Sequence, residues 1–111
     1  MLSARTSEAL RAAIARRGAA AVELSNHLAA HPELPDQEHE SSRRMVDLLA
    51  SAGFEVEYPF CGYPTGFRAS LRNGEGPSVG ILAEYDALPE IGHGCGHNLH
   101  GSLSVLAGLA L

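Results

Sequence analysis

Apolar residues recur every three or four positions through the first half of the chain, which predicts two amphipathic helices. The first helix is expected over about Thr6 to Ala30. Prolines at positions 32 and 35 should end it, because proline has no N–H for the helical ladder and its ring clashes with the preceding turn. A second helix is expected from Asp36 or Gln37 to Ala52, followed by Gly53 where helices commonly end in a left-handed residue. The apolar side of the first helix comprises Leu10, Ile14, Ala21, Leu24 and Leu28.

The pattern after Gly53 changes to the alternation that is typical of strands. Two alternating segments are expected as strands, Phe54 to Phe60 and Thr65 to Arg72. A third candidate, Ser78 to Tyr85, is almost continuously apolar, which predicts a strand covered on both faces. The last segment, roughly Leu99 to Leu111, reads as a helix. Two helices, about three strands and a strand-loop-helix unit together predict an α/β layer fold.

Composition and charge narrow the function classes. The net charge is −5 and the only basic clusters are two arginine pairs, which argues against a nucleic-acid partner. No apolar run reaches the roughly 20 residues that a membrane span needs. Charged residues interrupt any candidate secretory signal, so we expect a cytoplasmic protein with Cys61 and Cys95 as thiols, and Cys61 as a small core residue. The arginine- and serine-bearing N-terminus leaves a mitochondrial transit peptide as an alternative.

The run from Glu84 to His100 concentrates acids, a cysteine and three histidines in a glycine-punctuated loop after the third predicted strand. Ligands of open α/β sheets gather beyond the carboxyl ends of strands. A cysteine sulfur and an imidazole nitrogen suit zinc, and added carboxylates also suit manganese or cobalt, so Cys95 and His97 are candidate metal ligands. Asp86 is expected to accept a hydrogen bond from a ligating imidazole, which fixes its orientation. Asn98 is the expected N-cap of the last helix.

Simpler interpretations remain beside these. A Cys-x-His pair is weak by itself, because a buried thiol beside surface histidines is the common arrangement. His93 is expected as a loop histidine bonded to backbone. His100 follows His97 by three residues, and helix packing and substrate contact are both open for it. The histidines of the first two helices are interpreted as structural or solvated; they are His27, His31 and His39.

Two longer stretches carry a family resemblance. The run from Ala83 to Pro89 (AEYDALP), followed by that from Gly92 to Asn98 (GHGCGHN), resembles the signature of the aminoacylase-like metallopeptidases. This family includes aminobenzoyl-glutamate hydrolases, amidohydrolases of indole-acetyl and other N-acyl amino acids, and β-alanyl dipeptidases. His31 to Leu34 with Glu38 is similar to the family's entry into its second helix. The resemblance covers about Glu23 to Leu111.

The resemblance implies roles for several residues. Cys95 and His97 match metal ligands, and Asp86 matches the acid that orients the metal site. Glu84 stands where more distant relatives carry a ligating histidine. His100 matches a histidine in one form of the signature, so Glu84 and His100 are candidates for contact with substrate or with the ligands.

The resemblance also implies an architecture and an activity. Residues 1–111 would form the N-terminal part of a mixed-sheet catalytic domain, with its remainder and a dimerisation domain outside this chain. The full-length protein would be a homodimer with two zinc or manganese ions, and it would cleave the amide bond of small molecules. These substrates would be N-acyl amino acids, dipeptides or aminobenzoyl-glutamate-like compounds. The isolated chain would be inactive. The alternative is a small non-catalytic metal-binding or interaction module.

Overall fold

The computed structural model describes all the residues, Met1–Leu111, as a mixed α/β arrangement of three α-helices and one two-stranded antiparallel sheet. The helices are α1 (Ala4–Ala30), α2 (His39–Ser51) and α3 (His97–Ala110), and the strands are β1 (Glu55–Glu57) and β2 (Arg68–Ser70). A single 3-10 turn, His93–Cys95, leads into α3. No helix combines the length and apolar character that a membrane crossing requires.

The helix α1 confirms the first periodic segment and begins two residues earlier than expected. Its N-terminus is capped by Ser3, whose hydroxyl accepts the backbone N–H of Thr6 at 3.1 Å. The second half of its apolar side is buried, whereas Ile14 is exposed. The core is a cluster drawn from all three helices, namely Leu24, Leu28, Met45, Leu49 and Val105.

The N-terminus of α2 is capped by Glu33, which lies several residues before the helix in sequence. The Glu33 carboxylate accepts the backbone N–H groups of Glu40 at 3.0 Å and Ser41 at 2.7 Å, as well as the Ser41 hydroxyl. A carboxylate is favoured there because the first N–H groups of a helix are unpaired and carry partial positive charge. Burial raises the pKa of Glu33, but the hydrogen bonds from Ser41 and Glu40 and the charge of His39 outweigh it and hold that pKa below its ordinary value.

Replacing Glu33 with glutamine tests this cap. A pKa lowered in the folded state means that Glu33 stabilises the fold fully above the ordinary value of 4.5, and that this stabilisation is lost as the pH falls through the folded-state pKa. We expect Glu33→Gln to lower the free energy of unfolding by about 1 kcal/mol at neutral pH. Urea unfolding from pH 7 to pH 2 should show the difference from wild type shrinking only below about pH 4.5. The exposed Glu55→Gln should change stability by less than about 0.5 kcal/mol at pH 7. A difference that grows on acidification would rule the cap out.

The strands β1 and β2 confirm the first two strand predictions in position and shorten both. Val56 pairs with Ala69 in an antiparallel register, and Glu57 pairs with Arg68 across the ribbon. The predicted alternation holds, since Phe54, Val56 and Tyr58 are half-buried and the glutamates between them are exposed. Gly53 has a φ of 95° after α2, which confirms its predicted left-handed conformation.

The third strand prediction is wrong for this structure. Residues 78–85 lie in no strand, and Val79 and Leu82 are 79% and 85% exposed. An apolar run becomes a strand only where a neighbouring strand completes its backbone hydrogen bonds, and no other segment of this chain lies in that position. The end of the run is covered on one side, because Ala83 and Tyr85 pack against the core. The Ser104 hydroxyl of α3 holds it by donating to the Leu82 carbonyl at 2.7 Å.

Two further expectations need correction. Cys61 is exposed in a turn with a φ of 51°, so it is not a core residue, and Cys61 and Cys95 are both free. Asn98 is not the N-cap of α3, because the helix begins at His97 after Gly96. The Asn98 side chain instead donates to the Ser25 hydroxyl at 3.1 Å and fastens α3 to α1.

Candidate functional site

The centre of the candidate site is Asp86, which lies between two anchored neighbours. The Tyr85 hydroxyl donates to the Thr65 carbonyl at 2.5 Å. The Ala87 N–H donates to the Glu33 carbonyl at 2.7 Å, and Ala87 is fully buried. These two hydrogen bonds hold Asp86 in place although no strand ladder supports it.

The loop after Asp86 folds back, so that residues 95–97 lie next to Asp86. A pair of backbone hydrogen bonds between Leu88 and Gly92 closes a tight turn. Gly96, with a φ of 86°, then redirects the chain from the 3-10 turn into α3, a conformation that glycine adopts without strain. As a result Cys95 and His97 flank the start of α3 and both face the Asp86 segment.

The His97 ring lies between two carboxylates. Its Nδ1 is 2.8 Å from Asp86 Oδ1 and 3.1 Å from the Asp86 carbonyl oxygen, and its Nε2 is 3.1 Å from Glu84 Oε2. The side chains of Asp86 and His97 are mostly buried, whereas Glu84 is 59% exposed. An Nδ1 that is held by a carboxylate leaves Nε2 as the nitrogen that can bind a metal. The structure thus brings three of the predicted site residues together, with Asp86 in contact with the ring that it is predicted to orient.

The other two predicted residues lie at the edge of this cluster. The exposed Cys95 has its Sγ 3.9 Å from the Asp86 carbonyl oxygen, the atom that Nδ1 of His97 also approaches. His100 Nδ1 accepts the backbone N–H of Glu84 at 3.0 Å. This contact favours a packing role for His100, since it uses the ring to hold the segment that carries Glu84.

His93 departs from its prediction. Both of its ring nitrogens are buried without a hydrogen-bond partner, so the expected bond to backbone is wrong. Burial and the nearby His97 lower the pKa of His93, and Asp86 opposes them. A buried imidazole with no hydrogen-bond partner is destabilising by about 1–3 kcal/mol.

The donor types at this site fit a divalent transition metal, but their number is too small. Cys95 supplies sulfur and His97 supplies nitrogen, with two carboxylates beside them, which is a set that zinc or manganese accepts. A catalytic zinc takes three ligands from protein. No three histidine, cysteine, aspartate or glutamate side chains of this chain converge closely enough to hold a metal ion. The three protein ligands of a catalytic zinc are therefore not brought together within this chain.

Known proteins are similar to this chain in sequence. Over the whole length of this chain, it is 37% identical to the Xaa-Arg dipeptidase of Mus musculus. It is 33% identical to one subunit of the p-aminobenzoyl-glutamate hydrolase of Escherichia coli (strain K12) over 80% of the chain. It is also 33% identical to the IAA-amino acid hydrolase ILR1-like 6 of Arabidopsis thaliana over 72% of the chain. No protein-family model matches it.

These relatives, a dipeptidase and hydrolases of p-aminobenzoyl-glutamate and IAA-amino acids, confirm the resemblance to the aminoacylase-like metallopeptidases. The chain spans 27%, 22% and 19% of the lengths of these three relatives, about a quarter or less of each. The ligand roles of Cys95 and His97 and the orienting role of Asp86 stay predictions.

Two residues that support the site, Glu33 and Thr65, are not among the predicted site residues. Glu33 contributes its backbone carbonyl to Ala87 and its carboxylate to α2, and Thr65 receives the Tyr85 hydroxyl. The signal for Glu33 was an acid shortly before a predicted helix start, which is typical of capping. Nothing in the local pattern around Thr65 indicates its contact with Tyr85, which lies 20 positions later.

Proposed function

We propose that the full-length protein is a metal-dependent amidohydrolase that cleaves the amide bond of small molecules. Its substrates are N-acyl amino acids, dipeptides or aminobenzoyl-glutamate-like compounds. The observation that carries the proposal is the hydrogen bond between His97 Nδ1 and Asp86 Oδ1, with Cys95 directed to the same residue. It supports the proposal because a metal-ligating histidine commonly donates its other ring N–H to a carboxylate. The names of the relatives, which include a dipeptidase and an aminobenzoyl-glutamate hydrolase, support the reaction class.

In this proposal each residue of the chain has a defined task. Cys95 and His97 hold the metal, through Sγ and Nε2. Asp86 keeps the His97 ring in one orientation and fixes its tautomer by accepting a hydrogen bond from Nδ1–H. Glu84, 3.1 Å from Nε2, is placed to bind the metal or to orient substrate beside it. A bound zinc or manganese supplies the Lewis acid that polarises the amide carbonyl and acidifies water.

The remaining parts of the proposal concern the rest of the protein. Two ligands of this chain are fewer than a catalytic zinc requires, so the general base and the other ligands are supplied by the full-length protein. We propose a homodimer with two metal ions per active site, located in the cytoplasm, without a nucleic-acid or membrane partner.

The alternative function is a small non-catalytic metal-binding or interaction module. Such a module needs no complete catalytic site, and no group of three potential ligands converges within the chain. Hydrolytic assays of the full-length protein and of the isolated chain separate the two functions.

Metal removal tests the proposed activity. The full-length protein is assayed on p-aminobenzoyl-glutamate, an Xaa-Arg dipeptide and an N-acetyl amino acid. We expect hydrolysis of at least one substrate, a fall of about 10³-fold or more after chelation, and recovery on addition of Zn²⁺ or Mn²⁺, since the Lewis acid contributes several kcal/mol to the rate. The isolated 111-residue chain should show no turnover. Hydrolysis at an unchanged rate after verified metal removal would contradict the proposal, and so would turnover by the isolated chain.

A further inference from the structure

A chain of buried hydrogen bonds leads from α2 to the residue beside Asp86. Glu38 is only 8% exposed, and its Oε2 accepts the Thr65 hydroxyl at 2.8 Å. Thr65 is also buried, and its backbone carbonyl accepts the hydroxyl of Tyr85 at 2.5 Å. Each polar group in this series of hydrogen bonds has a partner, as buried polar groups require, and the last residue, Tyr85, directly precedes Asp86. The three residues Glu38, Thr65 and Tyr85 are referred to below as the buried relay.

The Asp86 segment depends on such contacts more than a strand residue would. It belongs to no sheet, so no ladder of backbone hydrogen bonds holds it. The Asp86 carbonyl oxygen nevertheless lies near both predicted ligands, at 3.1 Å from His97 Nδ1 and 3.9 Å from Cys95 Sγ. A shift of this carbonyl oxygen would therefore change the contacts of both predicted ligands, Cys95 and His97, at once.

The Tyr85 side chain is well suited to hold that carbonyl. Its ring stacks on Phe67 with centroids 5.9 Å apart, and its hydroxyl is held by the hydrogen bond to the Thr65 carbonyl. Burial, reinforced by the nearby Glu38, Tyr58 and Asp86, raises the pKa of Tyr85 to about 12, so the hydroxyl stays a donor at neutral pH. On the other side of Asp86, the Ala87 N–H is held by the Glu33 carbonyl.

We propose that Tyr85 is a positioning residue of the metal centre: its hydroxyl bond to Thr65 fixes the Asp86 backbone, and Asp86 thereby sets the directions of His97 and Cys95. This inference rests on the proposed function, because it assigns a task to Tyr85 within that site. Tyr85 touches neither the metal nor substrate and acts through Asp86 alone. The buried relay is what keeps the Thr65 carbonyl in place.

The test is Tyr85→Phe in the full-length protein, because this change removes one hydroxyl and leaves the ring. The matched control is Tyr58→Phe, which also removes a part-buried hydroxyl bond, the 2.8 Å contact with Ser42, and leaves the bond from the neighbouring Tyr85 to Thr65 in place. Zn²⁺ affinity is measured by competition with a chromogenic chelator, and the unfolding temperature is measured on the metal-free proteins. The absorption spectrum of the Co²⁺-substituted proteins reports the geometry of the bound sulfur and nitrogen.

We expect both variants to unfold at similarly reduced temperatures. Only Tyr85→Phe should bind Zn²⁺ about 10-fold more weakly, at the lower end of the effect of removing a partner of a ligand. It should also alter the Co²⁺ spectrum. A merely structural role would lower the unfolding temperature and leave the Zn²⁺ affinity within about twofold of wild type, and this result would overturn the inference. Equal losses of affinity in both variants would overturn it as well.

A third variant separates this inference from the proposed function. If His97→Ala abolishes Zn²⁺ binding and Tyr85→Phe leaves it unchanged, the positioning role fails and the metal site stands. If His97→Ala binds Zn²⁺ as wild type does, the proposed function fails and the role of Tyr85 fails with it.

Discussion

Replacing His97 with alanine is expected to remove most of the bound metal from the full-length protein and to slow amide hydrolysis by about 10³-fold. The physical reason is that the Asp86 carboxylate orients the His97 ring through its 2.8 Å contact with Nδ1, which leaves Nε2 as the proposed ligand atom. Without the ring, Glu84 and Asp86 face each other as two carboxylates with no nitrogen between them. Elemental analysis of the purified variant and steady-state rates on the three substrates measure the two effects.

Two further variants complete this experiment. Cys95→Ala should also lose most of the metal, because the thiolate is the other proposed ligand. His31→Ala removes an exposed histidine whose ring contacts the α1 carbonyl of His27, and it should retain normal metal content and rate. If Cys95→Ala or His97→Ala keeps its metal and a normal rate, the ligand assignment is wrong.

Adding one methyl group at Gly101 is expected to destabilise the chain and disturb the site at the same time. A Cβ atom at this position of α3 would lie 2.7 Å from the Glu84 carbonyl oxygen and 3.3 Å from the Met45 methyl group. The first contact is with backbone, so the segment carrying Glu84 has to move. We expect Gly101→Ala to lower the free energy of unfolding by about 1–3 kcal/mol, an overpacking cost that exceeds the helix propensity gained.

Gly18 provides the matched control in α1. A Cβ atom there meets nothing within 4 Å, so Gly18→Ala should raise the free energy of unfolding by about 0.5–1 kcal/mol through helix propensity alone. Urea unfolding of the two variants should thus give changes of opposite sign. Stabilisation by Gly101→Ala would show that the 84–85 segment does not pack on α3 as described.

The sequence could predict those elements whose signals are local. The helices α1 and α2 follow from apolar spacing and from the prolines between them, and β1 follows from the alternation of Phe54, Val56 and Tyr58 with glutamates. The Cys95–His97 pair and Asp86 were recognised because they lie within 11 positions of each other in a glycine-rich loop. Over such a distance the chain has few ways to keep the residues apart.

The residues that the sequence could not assign depend on distant partners. Asn98 has the preference of an N-cap, but its amide donates to Ser25, which lies 73 positions earlier on α1. The apolar run 78–85 has strand character, but it pairs with no other segment of the chain and remains outside the sheet. In both cases a local preference is overridden, because the free energy of a tertiary contact, or the lack of a partner strand, outweighs it.

By itself, the sequence determined the helices, the alternation of β1 and the glycine-rich loop that carries the candidate metal ligands, since these depend on periods and spacings within a few turns of chain. The tertiary structure alone decided that the Glu33 carbonyl holds Ala87 and that the buried relay reaches the neighbour of Asp86. It also decided that His93 is buried without a partner. The reason is that these hydrogen bonds join residues 20 or 27 positions apart, which only the folded chain brings together, so no local spacing of residues indicates them.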